Sequence, residues 1–264
     1  MHAALLFLSF MAVLNNASPQ ADSIKTEVYI IGTIHHGNKH FNYKTLYNVV
    51  KQLDPDIILW EQSIKYKRVL GLRTATRLKI AKPGIEQLAL QKYTKYKKDI
   101  KVFPYDTLIV SRRKYLRQSI KTDQNFFDSL HNVNKSAEDS IGYAAYVLKR
   151  NSCYEFILDT TLGRINKPDV VNRTKELYYL EQSVILPMGK KYVRDTQLVQ
   201  AFENELSFWE ARNNFMVKQI SSYAKQFAGK KIIVLAGLNH KYYLQDKLTE
   251  DHHATIKIKA LEYE

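Results

Sequence analysis

The chain has 264 residues, 45% of them hydrophobic and 25% charged, with 40 Lys and Arg against 26 Asp and Glu for a formal net charge of +14. That balance excludes wholesale disorder and a multi-span membrane protein, and the length suffices for an α/β domain with a substantial core. The single cysteine, Cys153, excludes an internal disulfide framework and any metal site built from two or four thiolates.

Residues 4–14 form an uncharged apolar run followed by small and polar residues at Ala17, Ser18 and Ala21. The run is too short to span a bilayer and has the length of a signal-peptide core. The sequence therefore predicts a signal peptide over 1–21, an exported (periplasmic or secreted) protein, and a single mature domain over 22–264.

Residues 26–31 read as a strand closed by a tight turn at Gly32. Asn42 can cap a helix carrying Leu46, Val49, Val50 and Leu53 at helical spacing, and Asp54-Pro55 stops it. Residues 56–60 give a second strand, so the domain opens with a βαβ unit and a parallel sheet. Residues 64–91 are helical in pattern, interrupted by Lys82-Pro83-Gly84, and 100–105 is a third strand candidate. Helices follow over 107–150, with a polar break at 131–136, then over 172–181 and 191–227, the last terminated by Gly229. A buried strand at 231–236, Gly237, a short helix from about Lys241 and a strand at 255–259 complete the chain. The pattern predicts an α/β fold: a mainly parallel central sheet, flanking helices and a helical insert between its early and late strands.

The charge is not spread evenly. Residues 64–122 hold 17 basic side chains against Glu86, Asp99 and Asp106, so this basic helical insert accounts for the whole net charge. Its lysines alternate with tyrosines over 91–98, a pattern met in nucleic-acid contacts. For an exported chain nucleic acid is the unlikely partner, and an anionic envelope surface or an acidic substrate is expected instead.

Two strand ends match. The first runs into Gly32-Thr33-Ile34-His35 and the late one into Gly237-Leu238-Asn239-His240. Carboxyl ends of parallel strands share one edge, so the two imidazoles, 205 residues apart in sequence, can meet there. Glu61 leaves the second strand on the same edge. Two His and one Glu make a first shell for a divalent ion, and Zn, Mn, Co or Fe would each suit it. Along the long helix Leu206, Trp209, Met216 and Ile220 form an apolar face interrupted by Asn213, with Arg212 beside it. There is no H-E-x-x-H, G-x-S-x-G, Walker A or G-x-G-x-x-G pattern.

The ordered set of Gly-Thr-Ile-His at 32–35, Pro55-Asp56 with Glu61 after the strand, Arg212-Asn213-x-x-Met216, and Gly237-x-x-His240 resembles the Tiki/TraB/GumN superfamily. That group is distantly related to erythromycin esterase and ChaN-like proteins. The resemblance covers residues 26–245 and implies an α/β fold with its site at the two G-x-x-H turns and, in the Tiki branch, a metal-dependent peptidase. Position by position it implies that His35, His240 and Glu61 hold metal, and that Arg212 and Asn213 serve the reaction. Asn239, where the family has a small residue, and the doubled His36 depart from its pattern.

The expectation is thus an exported metal-dependent hydrolase, peptidase-like, acting on a peptide or other small anionic substrate. Glu61 is either a ligand or the general base, and Arg212 with Asn213 stabilises the oxyanion. Two alternatives stand beside it. One is a non-catalytic protein that binds haem, a peptide or an anionic surface polymer, with His35-His36 and the 18 tyrosines in view. The other is a metal-independent, esterase-like hydrolase in which His35 and Glu61 activate water directly.

Overall fold

The computed structural model describes residues 25–35, 37–63, 84–107 and 112–262. The predicted signal peptide, His36 and the first twenty residues of the basic span lie outside them. Five strands form one all-parallel sheet: β1 (Thr26–Thr33), β2 (Ile57–Ser63), β3 (Lys101–Asp106), β4 (Lys231–Gly237) and β5 (Ile256–Lys259), in the spatial order β3-β2-β4-β1-β5. β4 lies between β1 and β2, so the opening βαβ unit has a late strand through its middle. Among the described residues no helix is long and apolar enough to cross a membrane.

The strands read as nearly continuous apolar runs because both faces are covered. Ile31, Ile58, Trp60, Ile233 and Leu235 point to one face, while Val28, Ile30, Ile57, Leu59, Ile232 and Val234 point to the other. The first face is covered by α1 (Tyr43–Leu53), α2 (Ile85–Tyr96) and the short α5 (Leu162–Ile165). As the sequence suggests, Asn42 caps α1 by accepting from the Lys44 and Thr45 amides, and Asp54 closes it at φ 43°. The second face is covered by the far half of α8 (Thr196–Gln226) and by α9 (Leu238–His252).

The helical insert comprises α3 (Arg112–His131), α4 (Ala137–Leu158), α6 (Pro168–Leu180), a π-helical turn at Glu181–Ile185 and α7 (Leu186–Tyr192); the basic span 64–122 is not itself this insert, since it contains α2 and the sheet strand β3 and reaches the insert only in α3. It has its own core of Phe126, Phe127, Leu130, Tyr146, Ile185 and Met188, onto which the near half of α8 adds Val199, Phe202 and Leu206. Phe126 stacks on Phe202 with centroids 3.9 Å apart. The 31-residue α8 therefore belongs to two cores, and Arg212 and Asn213 sit between them.

Three local readings change. β1 runs on through Gly32 to Thr33, and Gly32 sits in a crowded position: a Cβ there would meet Lys241 Cδ at 3.2 Å and Asn166 Oδ1 at 3.3 Å. The helix read over 191–227 is broken at Val193–Asp195, where Asp195 accepts from the Leu198 amide and starts α8. α9 begins directly after Gly237, which places His240 inside its first turn. In the Lys–Tyr alternation over 91–98, Tyr93 is buried against Tyr47, Lys92 lies over the Tyr47 ring and Lys97 pairs with Asp54, while Lys95, Tyr96 and Lys98 are exposed.

Candidate functional site

The sheet's carboxyl edge brings together the five side chains singled out in the sequence. Glu61 leaves β2 where the pairing with β3 shifts register between Trp60 and Ser63, an irregularity that re-aims a side chain. It is 5% exposed, and both oxygens are engaged. Oε2 accepts from the Gly237 amide at 2.5 Å and Oε1 from Arg212 Nη2 at 2.7 Å. That approach leaves little room beside Gly237, where a Cβ would stand 3.2 Å from Glu61 Oε2 and 3.4 Å from His35 Nε2.

Arg212 spans the site. Its Nε and Nη2 donate to Asp106 at 2.9 and 2.7 Å, and its Nη1 lies 3.1 Å from His240 Nε2. Burial disfavours its charge, but hydrogen bonds and attraction from Asp106 and Glu61 outweigh that and raise its pKa, so it stays a cation. Burial alone would raise Glu61. His240, Arg212, His35 and the Gly237 N–H together hold it at about 2.

Each histidine is oriented through Nδ1. Asn213, fully buried, donates from Nδ2 to Trp209 O at 2.7 Å, so its Oδ1 is the acceptor for His240 Nδ1–H at 2.8 Å. This leaves Nε2 of His240 as the acceptor facing Arg212. Burial lowers His240 to about 4, so near neutrality it is an uncharged imidazole, stacked on Trp209 at 5.7 Å. The carboxylate of Glu86 faces His35 Nδ1 at 2.9 Å and also accepts from Thr33 Oγ1 at 2.6 Å. Burial would raise Glu86; the His35 contact reverses this and lowers it. Glu86 occupies the first turn of α2, where the helix dipole favours a carboxylate. The Nε2 atoms of His35 and His240 lie 4.0 and 3.7 Å from the same Glu61 Oε1.

His35, His240 and Glu61 thus converge as the sequence suggested, with Arg212 and Asn213 in contact with them. Asn213 spends its amide on His240 and Trp209, which makes it a tether for the imidazole. The donor set fits a divalent ion poorly as built. Arg212 already bonds Glu61 Oε1 and His240 Nε2, the two atoms an ion would need beside His35, and a second buried cation next to the guanidinium would be repelled. Among the described residues no group of three or more His, Cys, Asp or Glu is arranged to hold a metal.

Asp106 and Glu86 were not among the sequence candidates. Asp106 had a usable signal, because it follows the third strand as Glu61 follows Trp60. Glu86 had none, as only the fold carries the start of α2 to the end of β1. Neither a family model, nor a curated protein, nor a solved structure matches this chain.

Proposed function

We propose that this protein is a hydrolase working outside the cytoplasm, in which His35 takes a proton from water held at Glu61 and Arg212 stabilises the charge that develops on the attacked carbonyl. The observation that carries this reading is the paired orientation of the imidazoles. Glu86 and Asn213 engage the two Nδ1 atoms, which turns both Nε2 atoms toward Glu61 Oε1 at 4.0 and 3.7 Å.

A water about 2.8 Å from both His35 Nε2 and Glu61 Oε1 would bridge the 4.0 Å between them. Glu61, held at about 2, is a fixed anion that orients this water; its proton goes to His35. The Glu86 carboxylate stabilises the imidazolium so formed, which then protonates the leaving group. Arg212 stays charged, and neutral His240 with Asp106 and Glu61 fixes its plane. The substrate is a peptide or other small acyl compound, and the basic span 64–122 favours one bearing negative charge. A divalent ion at Glu61 would require Arg212 to leave two of its partners, so we carry the metal-independent version.

The test is a panel of nitrophenyl esters and aminoacyl amides with purified protein, in chelator and with added Mn²⁺, Co²⁺ or Zn²⁺. We expect turnover that survives chelation and falls by about 10²–10⁴ in His35→Ala. No turnover above the buffer rate, or equal turnover by wild type and His35→Ala, overturns the proposal. Loss in chelator with recovery on adding one metal would return the site to the metal-dependent mechanism.

A further inference from the structure

On the same carboxyl edge, on the β5 side of β1 from the Glu61 cluster, lies a cavity of about 590 Å³. Its walls are the start of α6 (Lys167, Pro168, Asn172), the early turns of α9 (Lys241, Gln245) and the chain after β5. That volume is in the range of sites for small organic molecules, roughly 300–1,000 Å³.

Lys241, 2% exposed, is a lining residue that the proposed hydrolysis does not use. Its Nζ donates to Asn166 Oδ1 at 2.6 Å and to Asn166 O at 3.3 Å. Both are neutral amide oxygens, and no carboxylate among the described residues pairs with this amine. Burial disfavours the charge on this amine and lowers its pKa to about 7, so an anion facing it in the cavity would favour the ammonium form. The amine cannot swing out while Asn166 holds it, and Asn166 is itself locked to β1. Its Oδ1 accepts from the Gly32 amide at 2.7 Å, and its Nδ2 donates to Gly32 O at 3.1 Å and Leu162 O at 2.8 Å.

The rest of the wall carries both signs. α6, a 13-residue helix with Pro168 in its first turn, has no side-chain cap at Lys167, so its positive end adds to Lys241, and Asp169 in that turn is held by Arg164 through two bonds of 2.6 Å. The acid and base at the rim are spoken for: Asp246 pairs with Lys175 at 2.7 Å and Lys259 with Glu27 at 3.2 Å. Glu262 and Lys167 also line the cavity.

We propose that this cavity binds a small organic anion, carboxylate or phosphate, with its head group on Lys241 and at the start of α6. The proposal is independent of the hydrolase reading. It places a ligand site between α6, α9 and the end of β5, with Lys241 next to His240 along α9.

Thermal unfolding of the full chain with inorganic phosphate and with succinate, each against sodium chloride at matched ionic strength, tests it. A saturable rise in Tm with either anion is expected, and which one produces it names the head group. Apparent affinity should fall at least about tenfold in Lys241→Gln. Lys241 also tethers Asn166, so a second variant guards against a folding defect: Asn172→Asp places a negative charge on the exposed wall and should weaken binding similarly. No saturable rise with either anion, or the same rise in wild type and Asn172→Asp, overturns the proposal.

Discussion

Replacing Glu61 by Gln keeps the shape and removes one charge. Each carboxylate oxygen accepts a bond, one from the Gly237 amide and one from Arg212 Nη2. An amide offers one acceptor and one NH₂, so either orientation sets a donor against a donor. Breaking a buried pair on one side costs about 3–5 kcal/mol. The lower end applies because Asp106 still holds the guanidinium. Linkage gives a similar figure. Folding takes Glu61 from an ordinary 4.5 to about 2, which at ~1.4 kcal/mol per pH unit is worth about 3 kcal/mol above pH 4.5. Because the folded pKa is depressed, this contribution is complete at pH 7 and is lost as pH falls toward 2. Urea unfolding of wild type and Glu61→Gln at pH 7 and pH 3 should show the wild-type advantage shrinking by about 2 kcal/mol at the lower pH. An advantage that does not change with pH would mean that Glu61 stabilises through shape alone, and the ion-pair account would be wrong.

Asn213→Ala should cost about 2–3 kcal/mol in chemical unfolding, since it strands the His240 Nδ1–H in the interior, and nitrogen NMR should then report a mixture of His240 tautomers. Gly237→Ala, with its Cβ 3.2 Å from Glu61 Oε2, should lower stability by roughly 1–3 kcal/mol, read as a shift in the urea midpoint. Glu181, raised by burial to about 7 while it accepts from Tyr146 OH, favours the folded state when protonated. Stability should therefore fall as pH rises from 4.5 through 7, and Glu181→Gln should abolish that decline in thermal melts. Salt-sensitive adsorption to anionic vesicles should weaken when Lys92, Lys95, Lys97 and Lys98 are changed to Gln; because Lys97 is tied to Asp54 and Lys92 to Tyr47, Lys95→Gln with Lys98→Gln should account for most of the loss.

What the sequence made legible follows its periodicity. β1, β2 and β4 are apolar runs of strand length bounded by turn residues, and the edge they share follows from their being parallel. Asn213 was visible because a polar residue interrupts an otherwise apolar face of α8. Glu86 was hidden because its role depends on α2 docking against β1, and no local pattern encodes that distance. Arg212 was visible as a charge, but not its partners: Asp106 is 106 residues away and Glu61 is 151. The break at Val193–Asp195 escaped notice because Thr196 onward continues the same apolar spacing, so only the Asp195 cap marks the boundary. In the lysine–tyrosine run composition could not tell Tyr93, which packs inward on α1, from Tyr96, which stays exposed, because that depends on the face of α2 each occupies.

The position of β4 has a consequence for how the chain comes together in time. β1 and β2 do not touch edge to edge; each pairs with β4, whose residues lie some two hundred positions after those of β1, as in Glu27 with Lys231. Until residue 237 has been made, only β2 and β3 can pair, β1 has neither of its neighbours β4 and β5, and neither the Glu61–Gly237 bond nor the β1–β4 ladder can exist. Closure through contacts of such long sequence separation is slow. β4, the fourth of the five strands to be made, completes both the hydrophobic centre and the polar cluster, so a chain stopped short of Lys231 carries the candidate residues on β1, β2 and α8 without the strand that brings them together.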